Sequence, residues 1–365
     1  MVFQRKDYNM NTQKILFIGT QNILLYSSSI KNTLIKLGFN VTEPEYLKFK
    51  DQNAIQKRFC RKKFLNDFFH RQNIAYIDAA KKIKPNYVFV LNNSRMTTDF
   101  LQYCNQNKIP LIMYCIDSIR WCDKALEHMH YYDEIFSYEP SDTQIEFKPN
   151  KFVKFLPLGF DSNIYKPNKN IINKEYDLCF VGRLDKHRLN TLESVAKYAW
   201  ENHLKFIVYT SIQLFHIPNI WLAPKLLVRR LKYKYKYPHL MKYIINKPIL
   251  GKELSDLYNK SKICLNIHVA THAGMHTGPN PRTFELLGCK CFEIIDEGHL
   301  DKTLLLNNKH LVEFTSSPDL ISKIDYYLKN DSKRNAISQS GFLFSQKNYT
   351  IDVLIKDALK NINLL

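Results

Sequence analysis

The stretch PNPRTFELLGCKCFEIID, residues 279–296, decides how the second half of this 365-residue chain folds. Its apolar residues predict a buried helix that runs directly into a buried strand. Arg282 and Glu285 stand three positions apart, so a helix would place both on one face. Because a buried charge is costly unless it meets a partner or a ligand, the start of this helix is a candidate binding site.

Segments of the same kind alternate along most of the chain. Residues 14–20, KILFIGT, predict a buried strand that ends at Gly19, and residues 27–39 predict a helix. The alternation stops at FVKFLPLGFDSNIYKPN, residues 152–168, and resumes with the strand YDLCFVGR, residues 176–183. Strands that alternate with helices are typical of a parallel sheet. The pattern predicts an α/β fold of two Rossmann-like halves facing across a cleft, with ligands beyond the carboxyl ends of the strands.

Length and composition favour two domains and an anionic partner. A chain of 365 residues exceeds one ordinary core. We predict a polar tail over residues 1–13, domains over 14–157 and 158–345, and a C-terminal helix over 346–365 that returns to the first domain. Lysine and arginine exceed aspartate and glutamate by 53 − 34 = 19, which favours phosphate, an acidic polymer or an anionic membrane.

Cysteine use and hydropathy indicate the compartment. Eight cysteines at irregular spacings, with no CxxC pair, predict reduced core residues. The first residues lack the apolar core of a signal peptide, and no apolar run approaches the ~18 residues that span a bilayer. We therefore expect a cytoplasmic chain, either soluble or peripheral on the inner face of the cell membrane.

A cluster of cations follows the first strand of the second half. In CFVGRLDKHR, Gly182 permits a tight turn, and Arg183, Lys186 and Arg188 follow within six residues. These charges repel one another unless water solvates them or an anion is shared among them. Two interpretations remain, a solvated basic turn and a phosphate clamp. The motif is not GxGxxG, so no dinucleotide cofactor is indicated.

The helix start after Pro281 suits a nucleotide. Asn280 is a plausible cap, and a helix N-terminus offers backbone N–H groups and a positive dipole end to a diphosphate. Glu285 can accept hydrogen bonds from both hydroxyls of a ribose diol, and Thr283 lies on the same turn. The alternative is an internal pair between Arg282 and Glu285.

Three histidines precede that helix. His268, His272 and His276 are four residues apart, which on a helix would resemble a metal-binding face. Glycines and prolines between them disfavour a continuous helix, so we expect His268 and His276 in a ligand-binding loop and no metal. Ordinary surface or core histidines are the alternative. In the first half, Gly19 and Asp117 end strands and are candidate acceptor contacts, although an aspartate there is commonly a helix cap.

These motifs together resemble a known family. LPLGFDSNIYKP, residues 156–167, resembles the interdomain segment of group 1 glycosyltransferases of the GT-B fold, and FVGRLDKHR resembles their phosphate-binding turn. KELSDLYNKSKICLNIH, followed by NPRTFELLGCKCFEIID, is similar to the donor segment of the branch related to the CgeB spore-maturation protein. The resemblance covers most of residues 14–360 and is strongest over residues 150–300.

The resemblance implies an enzyme that moves a sugar from a nucleoside-diphosphate donor to a cell-surface glycan or a lipid-linked acceptor, with retention of configuration. The implied donor residues are Gly182, Arg183, Lys186 and Arg188 for the diphosphate, Glu285 for the ribose, and Asn280 and Arg282 in support. Two departures stand out. The first glutamate of the relatives' Glu-x7-Glu motif would fall at Thr277, and Lys290 stands where the family often has glycine. Glu285 and Glu293 share that spacing, but we expect Glu293 in the following strand and interpret the match as coincidence.

A basic stretch, residues 221–247, has no assigned role in that scheme. No acidic residue occurs between Glu201 and Glu253. Leucines and tyrosines interleaved with cations predict contact with an anionic membrane, whereas a solvated insertion is the alternative. The predicted contacts are Arg229, Arg230, Lys232, Lys234 and Lys236. A nucleic-acid-directed sugar transferase or a non-catalytic binding protein is the second functional hypothesis, disfavoured because no nucleic-acid-binding motif occurs.

Overall fold

The computed structural model describes residues 13–20, 24–47, 61–122, 124–210, 223–269, 278–300 and 303–365. The predicted polar tail, apart from residue 13, lies outside these ranges. The chain divides into two compact units, one of residues 1–156 with 355–365 and one of residues 157–354. Each unit contains a six-stranded sheet with helices between its strands. The predicted α/β fold of two Rossmann-like units is confirmed.

The first unit is built on a parallel sheet. Its strands are β1 (Lys14–Ile18), β2 (Asn40–Thr42), β3 (Tyr87–Leu91), β4 (Leu111–Cys115), β5 (Glu134–Ser137), β6 (Glu146–Lys148), β7 (Lys151–Phe152) and β8 (Lys154–Phe155), and its helices are α1 (Leu24–Lys36), α2 (Arg61–Ile83), α3 (Thr98–Gln106) and α4 (Ala125–His128). The sheet has the order β2-β1-β3-β4-β5-β8, while β6 and β7 form a separate antiparallel pair. Phe100 and Tyr76 are buried in the core of this unit, with ring centroids 5.6 Å apart.

The second unit has a parallel sheet with the strand order of dinucleotide-binding folds. Its strands are β9 (Tyr176–Val181), β10 (Phe206–Thr210), β11 (Ile244–Asn246), β12 (Ser261–Asn266), β13 (Glu293–Asp296) and β14 (Val312–Phe314). They lie in the order β11-β10-β9-β12-β13-β14, which is 3-2-1-4-5-6 when counted within the unit. Successive strands are therefore added first on one side of β9 and then, from β12 onward, on its other side. In such sheets a crevice for ligands opens at the carboxyl ends of the two strands at this reversal.

Helices connect these strands and continue to the C-terminus. They are α5 (Lys186–Glu201), α6 (Ala223–Lys236), α7 (Gly251–Asn259), α8 (Pro281–Gly288), α9 (Ser317–Lys329), α10 (Asp331–Asn348) and α11 (Ile351–Lys360). Helix α5 begins at Lys186 because the Asp185 carboxylate accepts a hydrogen bond from the Arg188 backbone N–H at 2.8 Å and caps the helix. Lys186 and Arg188 therefore lie in the first helical turn.

Helix α8 ends in a Schellman motif. The Cys291 N–H donates to the Leu286 carbonyl and the Lys290 N–H donates to the Leu287 carbonyl, each at 3.0 Å. Lys290 adopts a left-handed conformation with φ of 57° and is exposed. Glycine at this position in relatives is thus explained by backbone conformation. Gly288 has a different role, since a Cβ atom there would lie 2.4 Å from the Phe160 ring.

The seven cysteines that the structure describes are all buried and all free thiols. Among the described helices, none combines the length and the apolar character needed to cross a membrane.

Candidate functional site

Arg188 joins the two loops at the reversal point of the second sheet. Its Nε atom donates to the carbonyl of Ile267, just beyond β12, and its Nη1 atom donates to the carbonyl of Arg183, just beyond β9, both at 2.7 Å. The residue is only 7% exposed, and its guanidinium lies 5.7 Å from the centre of the Phe180 ring. Arg183 and Lys186 are exposed nearby in sequence. Of the three cations in this turn, Arg183 and Lys186 are therefore exposed, whereas Arg188 is buried.

Gly182 allows this close packing. A Cβ atom at position 182 would lie 3.0 Å from the Phe180 ring and 3.4 Å from the Arg188 Nη1 atom. A larger residue would have to displace the aromatic ring or the guanidinium. The glycine thus supports Arg188 sterically.

Arg188 and Arg282 create a positive site. Burial lowers the pKa of Arg188 to about 10, and the positive charge of Arg282 acts in the same direction. Arg188 remains protonated at neutral pH. Asp185 and Asp296 lie near enough to Arg188 to oppose this shift in its pKa, and Arg282 acts in the same way on the pKa of Glu285. Neither guanidinium, however, forms a direct ion pair with a carboxylate among the residues that the structure describes. Two neighbouring cations without a direct ion pair favour binding of an anion.

The start of α8 is fixed by a buried polar network. Asn280 caps the helix, accepting a hydrogen bond from the Arg282 N–H at 3.0 Å, and Pro281 occupies the first helical position. The Asn280 side-chain amide donates to the Asn266 Oδ1 atom at 2.8 Å. Thr283 is fully buried, and its hydroxyl donates to the Glu293 Oε1 atom at 2.8 Å. The Thr283 hydroxyl is therefore engaged within this buried network.

Glu293 is the buried end of this network. The Asn266 Nδ2 atom donates to its Oε1 atom at 2.8 Å, while its Oε2 atom has no hydrogen-bond partner in the described part of the chain. Burial raises the pKa of Glu293 to about 7, although the hydrogen bonds from Asn266 and Thr283 oppose the rise. No local pattern signals this role, because a glutamate within a strand pattern predicts only a position on one face of a sheet.

His268 is held from both sides. Its Nδ1 atom lies 2.6 Å from the Asp296 Oδ1 atom, and its Nε2 atom accepts a hydrogen bond from the Asn280 backbone N–H at 3.3 Å. An Nε2 acceptor requires the proton on Nδ1, which donates to Asp296. Burial lowers the pKa of His268, which favours this neutral form. Burial alone would raise the pKa of Asp296, but hydrogen bonds from His268 and His299 hold it well below its ordinary value. His268 thus positions Asn280.

Within the part of the chain that the structure describes, one group of side chains could be considered for a metal. Ligand atoms of His268, Asp296 and His299 lie within 4.8 Å of one another. However, the two imidazole rings are stacked, with centroids 3.5 Å apart and planes 16° from parallel. A metal ion lies close to the plane of each imidazole that binds it, and stacked planes do not meet at one ion. His272 and His276 lie outside the described residues.

Glu285 and Arg282 are separated by a tyrosine. The Tyr258 hydroxyl accepts from the Arg282 Nε atom at 3.2 Å and lies 3.4 Å from the Glu285 Oε2 atom. Tyr165 also hydrogen-bonds to the Glu285 carboxylate. Burial raises the pKa of Glu285, and the nearby charge of Arg282 opposes this shift. The internal Arg282–Glu285 ion pair, considered from sequence, is not formed.

The remaining predicted contacts belong to the first unit. The Gly19 N–H donates to the Tyr46 hydroxyl at 2.7 Å, and a Cβ atom on Gly19 would lie 2.5 Å from the Ser27 Oγ atom. Gly19 therefore permits close approach of α1 to the end of β1. Asp117 is exposed two residues after the end of β4.

Within the second unit, the structure links the predicted donor residues through contacts that join the loops after β9 and β12 to the start of α8. Sequence reasoning missed Asn266, Glu293, Asp296, Tyr165 and Tyr258, whose roles depend on which distant side chains they meet. The linked predicted residues are Gly182, Arg183, Arg188, His268, Asn280, Arg282, Thr283 and Glu285.

Two Rossmann-like units of this kind define the GT-B fold, and comparisons with known proteins agree. A family model described as glycosyl transferase-like matches residues 190–360, most of the second unit. No curated protein matches the sequence.

Solved structures are similar over nearly the whole chain. A sucrose-phosphate synthase from Thermosynechococcus elongatus has a TM-score of 0.63 at 11% identity, covering 96% of this chain and 98% of its own. HepE of Anabaena, solved with UDP-glucose, has a TM-score of 0.63 at 12% identity, covering 96% and 100%. A glycosyltransferase from Rickettsia africae has a TM-score of 0.60 at 12% identity, covering 96% and 98%. At these identities the similarity shows the fold.

Proposed function

We propose that the chain is a glycosyltransferase that uses a nucleoside-diphosphate sugar as its donor. The observation that carries this proposal is the pair of guanidinium groups, Arg188 and Arg282, at the reversal point between β9 and β12. A diphosphate would supply the direct ion-pair partner that neither guanidinium has among the described residues. The family match over residues 190–360 supports transfer chemistry, and the UDP-glucose complex of HepE supports a uridine nucleotide.

Arg188 and Arg282 would stabilise the leaving group. When the bond between sugar and diphosphate breaks, negative charge grows on the diphosphate oxygens. Cations already fixed in place lower the energy of that state without further reorganisation. Arg188 is fixed by two carbonyl groups. The exposed side chains of Arg183 and Lys186 would close on the diphosphate, and the N-terminus of α8 would add its dipole.

Glu285 would hold the ribose. Its carboxylate already accepts hydrogen bonds from Tyr165 and Tyr258, which orient it. A carboxylate has about four acceptor positions, so two remain for the two hydroxyls of a ribose diol. Asn280 and His268 would support this arrangement by fixing the start of α8.

Acceptor, stereochemistry and metal use complete the proposal. We infer a cell-surface glycan or lipid-linked acceptor, transfer with retention, and action at the cytoplasmic side. Charge stabilisation by arginine, in place of a dyad of carboxylates, supports a mechanism dominated by leaving-group departure. Because arginines meet the phosphate charge, we expect full activity in excess chelator. Loss of activity that manganese or magnesium restores would contradict this expectation.

A nucleotide-sugar screen tests the proposal. Thermal unfolding is measured with each candidate nucleotide sugar, and a binder at about 100 times its dissociation constant should stabilise the protein by roughly 2.7 kcal/mol. Release of nucleoside diphosphate is then measured with glycan, lipid-linked and duplex DNA acceptors. Failure of every nucleotide to stabilise the protein would refute the donor site. Release stimulated only by DNA would favour a nucleic-acid-directed transferase.

A further inference from the structure

Helix α6 presents an apolar ridge to solvent. Val228 is 66% exposed, Leu231 57% and Tyr235 91%. At about 100° per residue, Tyr235 lies about 20° from Val228 around the helix axis, and Leu231 lies about 40° beyond Tyr235 on the same side. These three side chains therefore form one continuous stripe, which we call the α6 ridge.

The opposite face of α6 holds the helix on the protein. Tyr237, just after the helix, is buried in the core of the second unit, and Tyr233 packs against that core. Both point about 150–170° away from the centre of the ridge. The ridge therefore faces away from the core. Tyr233 lies on the opposite face of the helix and does not belong to the ridge.

Lysines flank the ridge on both sides. Lys232 and Lys236 lie about 40° and 80° from Val228 on one side, and Lys234 lies about 120° away on the other. All three are exposed, and none forms an ion pair with an acidic residue among those that the structure describes. The sequence contains no acidic residue between Glu201 and Glu253, so α6 itself carries no carboxylate that could neutralise these lysines. The side chains of Arg229 and Arg230, predicted to share this contact, lie outside the described part of the chain.

We propose that the α6 ridge and its flanking lysines form a docking surface for an anionic lipid bilayer. A helix that lies in a membrane interface buries an apolar stripe among the acyl chains and extends lysines sideways to the headgroups. The arrangement on α6 has this order, with apolar groups at the centre and cations at the sides. A nucleic-acid surface would require cations at the centre, where α6 has Val228, Leu231 and Tyr235. The surface does not depend on the proposed donor site.

Sedimentation with vesicles tests this surface on the whole chain without any nucleotide. The wild type should bind vesicles of phosphatidylcholine mixed with phosphatidylglycerol, bind weakly to phosphatidylcholine alone, and lose binding as salt rises. Each engaged lysine contributes about fivefold, so Lys232→Gln, Lys234→Gln and Lys236→Gln together should reduce vesicle partitioning about 100-fold. Equal partitioning of this variant and the wild type would overturn the proposal.

A charge-matched control separates local from general attraction. Lys252, Lys309 and Lys347 are exposed elsewhere on the chain and form no ion pair among the described residues. Their combined replacement by Gln removes the same charge and should leave partitioning within about twofold of the wild type. A reduction as large as that of the α6 variant would show attraction to net charge alone and would overturn the proposal.

The apolar part is tested in the same way. The ridge variant combines Val228→Ser, Leu231→Ser and Tyr235→Ser. It should weaken vesicle binding at least tenfold while heparin binding stays unchanged. The control for loss of exposed apolar side chains combines Leu306→Ser and Leu343→Ser. Because these side chains are exposed, circular dichroism and the unfolding midpoint should match the wild type. Unchanged vesicle binding in the ridge variant would overturn the proposal, as would tighter binding of duplex DNA than of vesicles.

Discussion

Replacing Glu293 by Gln isolates the buried carboxyl group behind the start of α8. The amide oxygen of Gln can accept the hydrogen bonds that Thr283 and Asn266 now donate to Oε1. The amide nitrogen takes the place of Oε2, which has no partner among the described residues. The substitution therefore keeps size and hydrogen bonds and removes only the group that titrates.

The expected magnitude follows from the pKa of Glu293, which burial raises from 4.5 to about 7. The folded protein then binds this proton more tightly than the unfolded chain does. The stability that Glu293 contributes is fully present below pH 4.5 and is lost as pH rises through about 7. Because a tenfold change in proton affinity corresponds to about 1.4 kcal/mol, the loss is about 3 kcal/mol. As pH rises from 4 to 8, the free energy of unfolding of Glu293→Gln should therefore rise by about 3 kcal/mol relative to that of the wild type.

Urea unfolding of the whole chain, followed by circular dichroism at several pH values, measures this difference. Other groups titrate in the same range, but they are common to both proteins and cancel in the comparison. Glu297→Gln, an exposed glutamate in the turn after β13, is the matched control and should follow the wild type. A constant difference between Glu293→Gln and wild type across the pH range would refute the assignment of a raised pKa to Glu293.

Substitutions at four further positions test the site and its supporting helix. Arg183→Ala should weaken nucleoside diphosphate binding about tenfold in calorimetry without loss of stability. Arg188→Ala should weaken this binding and also lower the unfolding midpoint, because the Arg188 guanidinium bonds both the loop after β9 and the carbonyl of Ile267. Equal midpoints for the two variants would contradict this distinction. Glu285→Gln should reduce affinity for a ribonucleotide and leave inorganic diphosphate binding unchanged; an equal fall in both affinities would assign Glu285 a structural role. Lys290→Gly should raise the free energy of unfolding by about 1 kcal/mol, because glycine adopts the left-handed backbone conformation of position 290 without strain. Lys290→Ala should give no such gain. A gain in both variants would show that the loss of charge, and not backbone strain, is responsible.

Local patterns in the sequence were sufficient to predict both sheets. The apolar runs that became β1 and β9 are short and bounded by turns, and strand formation there depends on neighbours within a few residues. The helix over residues 281–288 and its Asn280 cap were predicted for the same reason, since capping is a contact between residues two or three positions apart.

Such local patterns could not predict which distant residues meet in the site. The sequence placed Arg188 in a cluster of cations that either water or a phosphate would meet, but its guanidinium donates to the carbonyl of Ile267, 79 residues away. Asn266 and Glu293 are 27 residues apart in sequence and in direct contact. Sheet order brings these residues together, and sequence spacing carries no signal for it.

The sequence by itself determined which residue types would stand at the ends of the strands, and therefore the cationic character of the site. Only the tertiary structure decided which of them are free to meet a ligand: it turned Thr283 inward to Glu293, engaged both nitrogens of His268, and placed Tyr258 between Arg282 and Glu285. The physical reason is that secondary structure follows local spacing, whereas a buried polar group takes its partner from whichever distant segment the folded sheet brings within hydrogen-bond distance.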